Sequence, residues 1–183
     1  MAANGFKTYC NPLPIPQIPK GEDGGWDAMK YTGEPQADYR SISDPSVMWY
    51  DGKWYLYPSY GMAYVSEDFV TWKHVRMEPY NLKYSPSVVP WKGRFLLTGH
   101  SNGLYIGDNP LGPFEFLGDF IIPDGQQFRP VDPALFTDED GKVYLYYFFT
   151  RPTGDPYTFI SQTLVVELDD GDPRIFAHEP KVL

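Results

Sequence analysis

Residues 41–59 read SISDPSVMWYDGKWYLYPS. Apolar and polar side chains alternate on both sides of Asp51-Gly52. Alternation with period two marks a half-buried strand, and Asp-Gly between two such runs signals a two-residue hairpin. The stretch therefore predicts an antiparallel pair, SVMWY and KWYLYPS, with Asp44-Pro45 at its mouth. Next in the chain, MAYVSED predicts a third strand and TWKHVRM a fourth, outermost one.

The same phrase returns twice. DPSVMWYDGKWYLY begins at Asp44, SPSVVPWKGRFLLT at Ser85 and DPALFTDEDGKVYLYYFF at Asp132, continued by TLVVEL at 163–168. The starts lie 41 and 47 residues apart. Each opening is followed by a glycine and a basic residue, Gly52-Lys53, Gly93-Arg94 and Gly141-Lys142, and then by an apolar alternating run. A four-stranded antiparallel unit repeated every ~40–50 residues is the sequence form of a β-propeller blade. A single sandwich would show less regular self-similarity. The fold class is all-β, a propeller with about three blades in this chain. The blades are expected over about 41–80, 81–122 and 128–183, after an extended Pro- and Gly-rich lead-in, 1–40. A closed propeller needs about four blades or more, and open sheet edges are normally covered. The chain is thus expected to form part of a larger ring, or a part that a second chain or another copy completes.

Composition narrows the function. The 183 residues carry a net charge of −9 and no basic cluster, which argues against a nucleic-acid partner. No apolar run is long enough to span a membrane, and MAANGFKTYC lacks the charged and apolar regions of a signal peptide. The compartment stays open: cytoplasmic, or secreted after signal removal. Cys10 is the single cysteine, so there is neither a disulfide framework nor a thiolate metal cluster.

In a propeller the first strand of each blade lines the axis and opens onto a funnel. Asp44 and Asp132 hold the same place in blades one and three, and Ser85 holds it in blade two. Two inward carboxylates in a funnel walled by Trp and Tyr suit glycoside cleavage. One carboxylate activates water, a carboxylic acid protonates the leaving oxygen, and neighbouring charges set their acidities.

With these motifs the chain resembles glycoside hydrolase family 43, from about Ser41 to its end. GLYIGDNPLGPFE in blade two resembles that family's recurrent "SdsP.GPF" segment. The resemblance implies a five-bladed propeller that cleaves arabinose- and xylose-containing glycans with inversion, using three acids. It implies that Asp44 in SDPSV is the general base. It implies that Asp132 in VDPAL orients the general acid and raises its pKa. The acid itself is a Glu opening a later blade. Glu179 in AHEPKVL is the only late candidate, and its context reads as a link to the next blade instead. The expectation is an exo-acting α-L-arabinofuranosidase or β-xylosidase, incomplete without further blades. Family members need no cofactor; some place a structural cation on the axis, with ligands in blades beyond this chain. Two alternatives stand beside this: a non-catalytic carbohydrate-binding propeller, and one half of a split enzyme.

Four more residues are candidates for contact with an oligosaccharide: His100 in LTGHSNG, Arg129 and Arg40 just before the two acids, and Trp49. Trp54, Trp72 and Trp91 read as blade packing. His74 alternates with apolar residues and reads as an exposed strand position. Three scattered histidines give no metal-ligand spacing. DEDGK at 138–142 reads as a hairpin turn and not as a calcium loop. DYRSISDPS and DGQQFRPVD are expected to form the pocket rim.

Overall fold

The computed structural model describes residues 13–16, 44–59, 61–77, 84–123, 130–153 and 159–183. These form three four-stranded antiparallel sheets in chain order. The first holds β1 (Ser46–Tyr50), β2 (Lys53–Tyr57), β3 (Met62–Ser66) and β4 (Lys73–Arg76). The second holds β5 (Ser87–Trp91), β6 (Arg94–Thr98), β7 (Gly103–Gly107) and β8 (Glu115–Asp119). The third holds β9 (Val131–Thr137), β10 (Val143–Pro152), β11 (Phe159–Glu167) and β12 (Lys181–Val182). Each sheet meanders outward from its first strand. The repeat thus resolves into three propeller blades and not into one sandwich. Among the described residues no helix is long and apolar enough to cross a membrane.

The hairpins follow from their turn residues. Asp51 and Gly52 have φ of 46° and 76°, and Lys92 and Gly93 repeat those values. Two consecutive positive φ angles define the turn whose twist matches its strands. The third hairpin is longer. Asp138 accepts hydrogen bonds at Oδ1 from the Asp140 and Lys142 amides at 3.0 and 2.9 Å, so DEDGK is indeed a turn.

Alternate residues of each strand enter the interfaces between sheets. Met48, Tyr55, Tyr57 and Ala63 of blade one pack with Val88, Phe95, Leu97 and Phe114 of blade two. Leu96, Leu104 and Phe120 pack with Leu135, Leu145, Tyr147 and Val166 of blade three. Burial stabilises by roughly 1.5–3 kcal/mol for each large side chain. The far face of blade one, Leu56, Met62, Tyr64 and Trp72, is covered by Leu13 and Ile15. The far face of blade three, with Phe136 and Phe148, stays exposed.

Hydroxyls stitch the inner strands together. Ser46 Oγ donates to the Pro86 carbonyl at 2.7 Å, and Ser87 Oγ accepts from the Leu135 amide at 3.0 Å. Tyr57 Oη donates to the Pro110 carbonyl at 2.9 Å, which binds blade one to the GPF segment.

Three expectations need correction. His74 is half-buried, because its pairing with Tyr64 lays the imidazole edge-on against that ring, 5.4 Å between centroids. Residues 181–182 are not a link but the outermost strand of blade three, pairing Lys181 with Val165 and Val182 with Leu164. The third strand of that blade starts at Phe159 and not at Thr163, so its hairpin with β10 is long.

Candidate active site

Each inner strand carries the same local structure at its start. Asp44, Ser85 and Asp132 have φ of 49°, 49° and 48°, in the left-handed region. Few residues other than glycine adopt it, and Asp is among the commonest that do. A proline follows each one and disfavours the right-handed helical conformation at the residue before it. Proline also lacks an N–H, so regular pairing of β1 and β5 begins just after Pro45 and Pro86. In blade three the pairing skips from Ala134↔Tyr146 to Val131↔Phe148, leaving Asp132-Pro133 in a bulge. A bulge re-aims a side chain without ending the sheet. The three residues thus present their side chains in one way at one end of three neighbouring strands, the mouth.

Three hydrogen bonds join them. Ser59 Oγ donates to Asp44 Oδ2 at 3.0 Å and accepts from the Ser85 amide at 3.2 Å. Ser85 Oγ donates to Asp132 Oδ1 at 2.6 Å, a length typical of a hydroxyl bound to a carboxylate. The two serines are buried and the two acids are exposed. The row runs from carboxylate to carboxylate across three blades, which keeps the two acids within about 12 Å of each other. Each acid has one oxygen tied down, and the other is not used in the row.

His100 lies at the same end. It is exposed, its amide donates to the Tyr84 carbonyl at 2.9 Å, and its ring meets the Tyr84 ring edge-on at 6.0 Å. Tyr84 directly precedes Ser85. Since Ser46 pairs with Tyr57 and Ser87 with Thr98, His100 holds in blade two the place of Ser59 in blade one. Four residue pairs of β10 and β11, Phe149↔Gln162 to Pro152↔Phe159, continue past the start of β9. This hairpin therefore projects about 13 Å beyond the inner strand on the mouth side.

Trp49 is not brought to the acids. It lies beside the Asp51-Gly52 turn, five residues and about 16 Å along the strand from Asp44. There it is half-exposed with its ring 4.7 Å from that of Trp54. Trp54 and Trp91 flank the same turn ends, and Trp72 is buried under Phe69. Glu179 is exposed beside β12, at the edge of blade three opposite β9 and about 14 Å across the sheet. Arg40, Arg129, and most of the expected rim segments, lie outside the described residues. Ser59 was not singled out in the sequence. Its only sign there is its place two residues past the end of β2, on the mouth side.

A scan against protein-family models finds no match. A curated relative, "Xylosidase/arabinosidase" from Bacteroides ovatus, is 25% identical in the aligned region, which covers 58% of this chain and 43% of the relative. Among solved structures, an endo-arabinase from Bacteroides thetaiotaomicron superposes with a TM-score of 0.58 at 22% identity, over 79% of this chain and 56% of that one. A family 43 arabinoxylan arabinofuranohydrolase from Bacillus subtilis superposes with a TM-score of 0.57 at 19% identity, over 78% and 40%. The fold is that of the family 43 glycoside hydrolases. The three sheets superpose on part of these structures, and the chain spans about half, or less, of the length of these relatives.

Proposed function

We propose that this chain is part of an inverting family 43 glycoside hydrolase, exo-acting on α-L-arabinofuranosides or β-xylosides. The observation that carries the reading is the hydrogen-bonded row joining Asp44 and Asp132 at the mouth of three inner strands. Asp44 takes a proton from water as the water oxygen attacks the anomeric carbon. The bond to the leaving oxygen breaks, its electrons go to that oxygen, and a general acid protonates it. Asp132 orients that acid. The row itself holds two carboxylates among the described residues, and in this reading the general acid is supplied by further blades in the same polypeptide, a second chain or another copy. The exposed Phe136 and Phe148 on the far face of blade three favour such a neighbour. His100, and Arg40 and Arg129 from the rim, supply contacts to substrate hydroxyls.

A row with two carboxylates among the described residues also suits a second reading, a carbohydrate-binding propeller without turnover. Hydrolysis of aryl xylosides and arabinofuranosides by an assembly that supplies further blades, with and without Asp44→Asn, separates the two. Turnover that the variant loses supports the enzyme. A variant that alters only sugar affinity, with no turnover to lose, supports the binding module.

A further inference from the structure

Serine in the blade-two slot has a role that the acids alone do not explain. A hydroxyl holds one proton, and each serine of the row spends it on a carboxylate: Ser59 on Asp44 Oδ2 and Ser85 on Asp132 Oδ1. The Ser85 amide, turned by its left-handed backbone, donates to Ser59 Oγ and closes the row. Ser59 is fully buried and Ser85 nearly so, which fixes the donors beneath the exposed carboxylates. An aspartate in the blade-two slot would put a third carboxylate beside Asp132, with no proton to donate at neutral pH.

We propose that Ser59 and Ser85 are positioning residues that lock the Asp44 and Asp132 carboxylates in one mutual orientation. Ser59 acts through Asp44, and Ser85 through Asp132. The inference deepens the glycosidase reading and rests on it for its catalytic meaning, but its geometry can be tested without turnover.

The test is carboxyl-carbon NMR on the full chain labelled with ¹³C-aspartate, the Asp44 and Asp132 signals being assigned with Asp44→Asn and Asp132→Asn. Ser85→Ala is expected to move the Asp132 carboxyl signal, and Ser85→Asn, which tolerates the left-handed backbone and offers a side-chain N–H donor, to move it back. Ser59→Ala is expected to move the Asp44 carboxyl signal and the Ser85 amide signal together. In the unsubstituted protein, replacing H₂O by D₂O should displace both carboxyl signals, which keeps the test open if a variant fails to fold. Carboxyl signals that ignore both substitutions in folded variants, or that show no solvent isotope displacement, would overturn the proposal. Where the protein turns over an aryl pentoside, Ser85→Ala should lower kcat about tenfold with KM little changed. Absent turnover in an assembly completed by further blades would count against the glycosidase reading and leave the NMR result to decide this one.

Discussion

Asp44 and Asp132 combine a charge with a backbone that few residues accept. Asn shares the tolerance of Asp for positive φ, whereas Ala does not. Asp44→Asn is therefore expected to leave stability within ~0.5 kcal/mol, and Asp44→Ala to cost about 1 kcal/mol more, as measured by urea unfolding. Asn is accordingly the cleaner probe of chemistry at this position. The acids themselves were legible in the sequence, because an Asp-Pro opening recurred at a fixed distance from each turn glycine. Ser59 was not. Its partner Asp44, 15 residues away, faces it where the β1–β2 register extends past Ser46↔Tyr57, and the Ser85 amide, 26 residues away, reaches it only through the packing of blade one on blade two. Trp49 shows the converse. An aromatic in a short strand can face a funnel or the opposite end, and composition does not say which.

Blade connections at the element scale rest on polar clamps. Arg174 grips the Asp172 carboxylate with two nitrogens, at 2.9 and 2.6 Å, and lies over Gly118 of β8. Gly118 has φ of +142°, and a Cβ there would sit 2.7 Å from Arg174 Nη1. Gly118→Ala should destabilise by about 1–3 kcal/mol, visible as a lower midpoint of chemical denaturation. The β3–β4 loop depends on Asp68, whose carboxylate accepts from the Thr71 and Val70 amides. Those bonds, with Thr71 the strongest, hold its pKa down at about 2 against an ordinary 3.8. A depressed pKa means the folded state favours the ionised form. Its stabilisation is complete above the ordinary value and fades as pH falls from there through about 2. Asp68→Ala should lower Tm at pH 7 and bring its Tm close to that of the unsubstituted protein near pH 2. Two-residue hairpins at Asp51-Gly52 and Lys92-Gly93 were readable because the turn residues determine them locally. The two-residue β12 was not, since a strand that short has no period of its own and exists only by pairing with β11.

At the scale of the molecule, three blades place two acids on a common mouth and, among the described residues, leave Phe136 and Phe148 exposed on the far face of the third. The repeat spacing announced the blades. It could not announce the chemistry of the neighbour on that face, because inner-face and outer-face residues alternate identically in every blade. Inverting hydrolysis needs a base and an acid together, so the proposed activity would belong to an assembled ring. The measurement that bears most directly on this is release of the aryl group from aryl xylosides and arabinofuranosides, made on the species that native mass spectrometry identifies. The account predicts turnover by an assembly that supplies further blades, reduced by a factor of ~10²–10⁴ in Asp44→Asn. Undiminished turnover in Asp44→Asn, or none in any completed assembly, would contradict it.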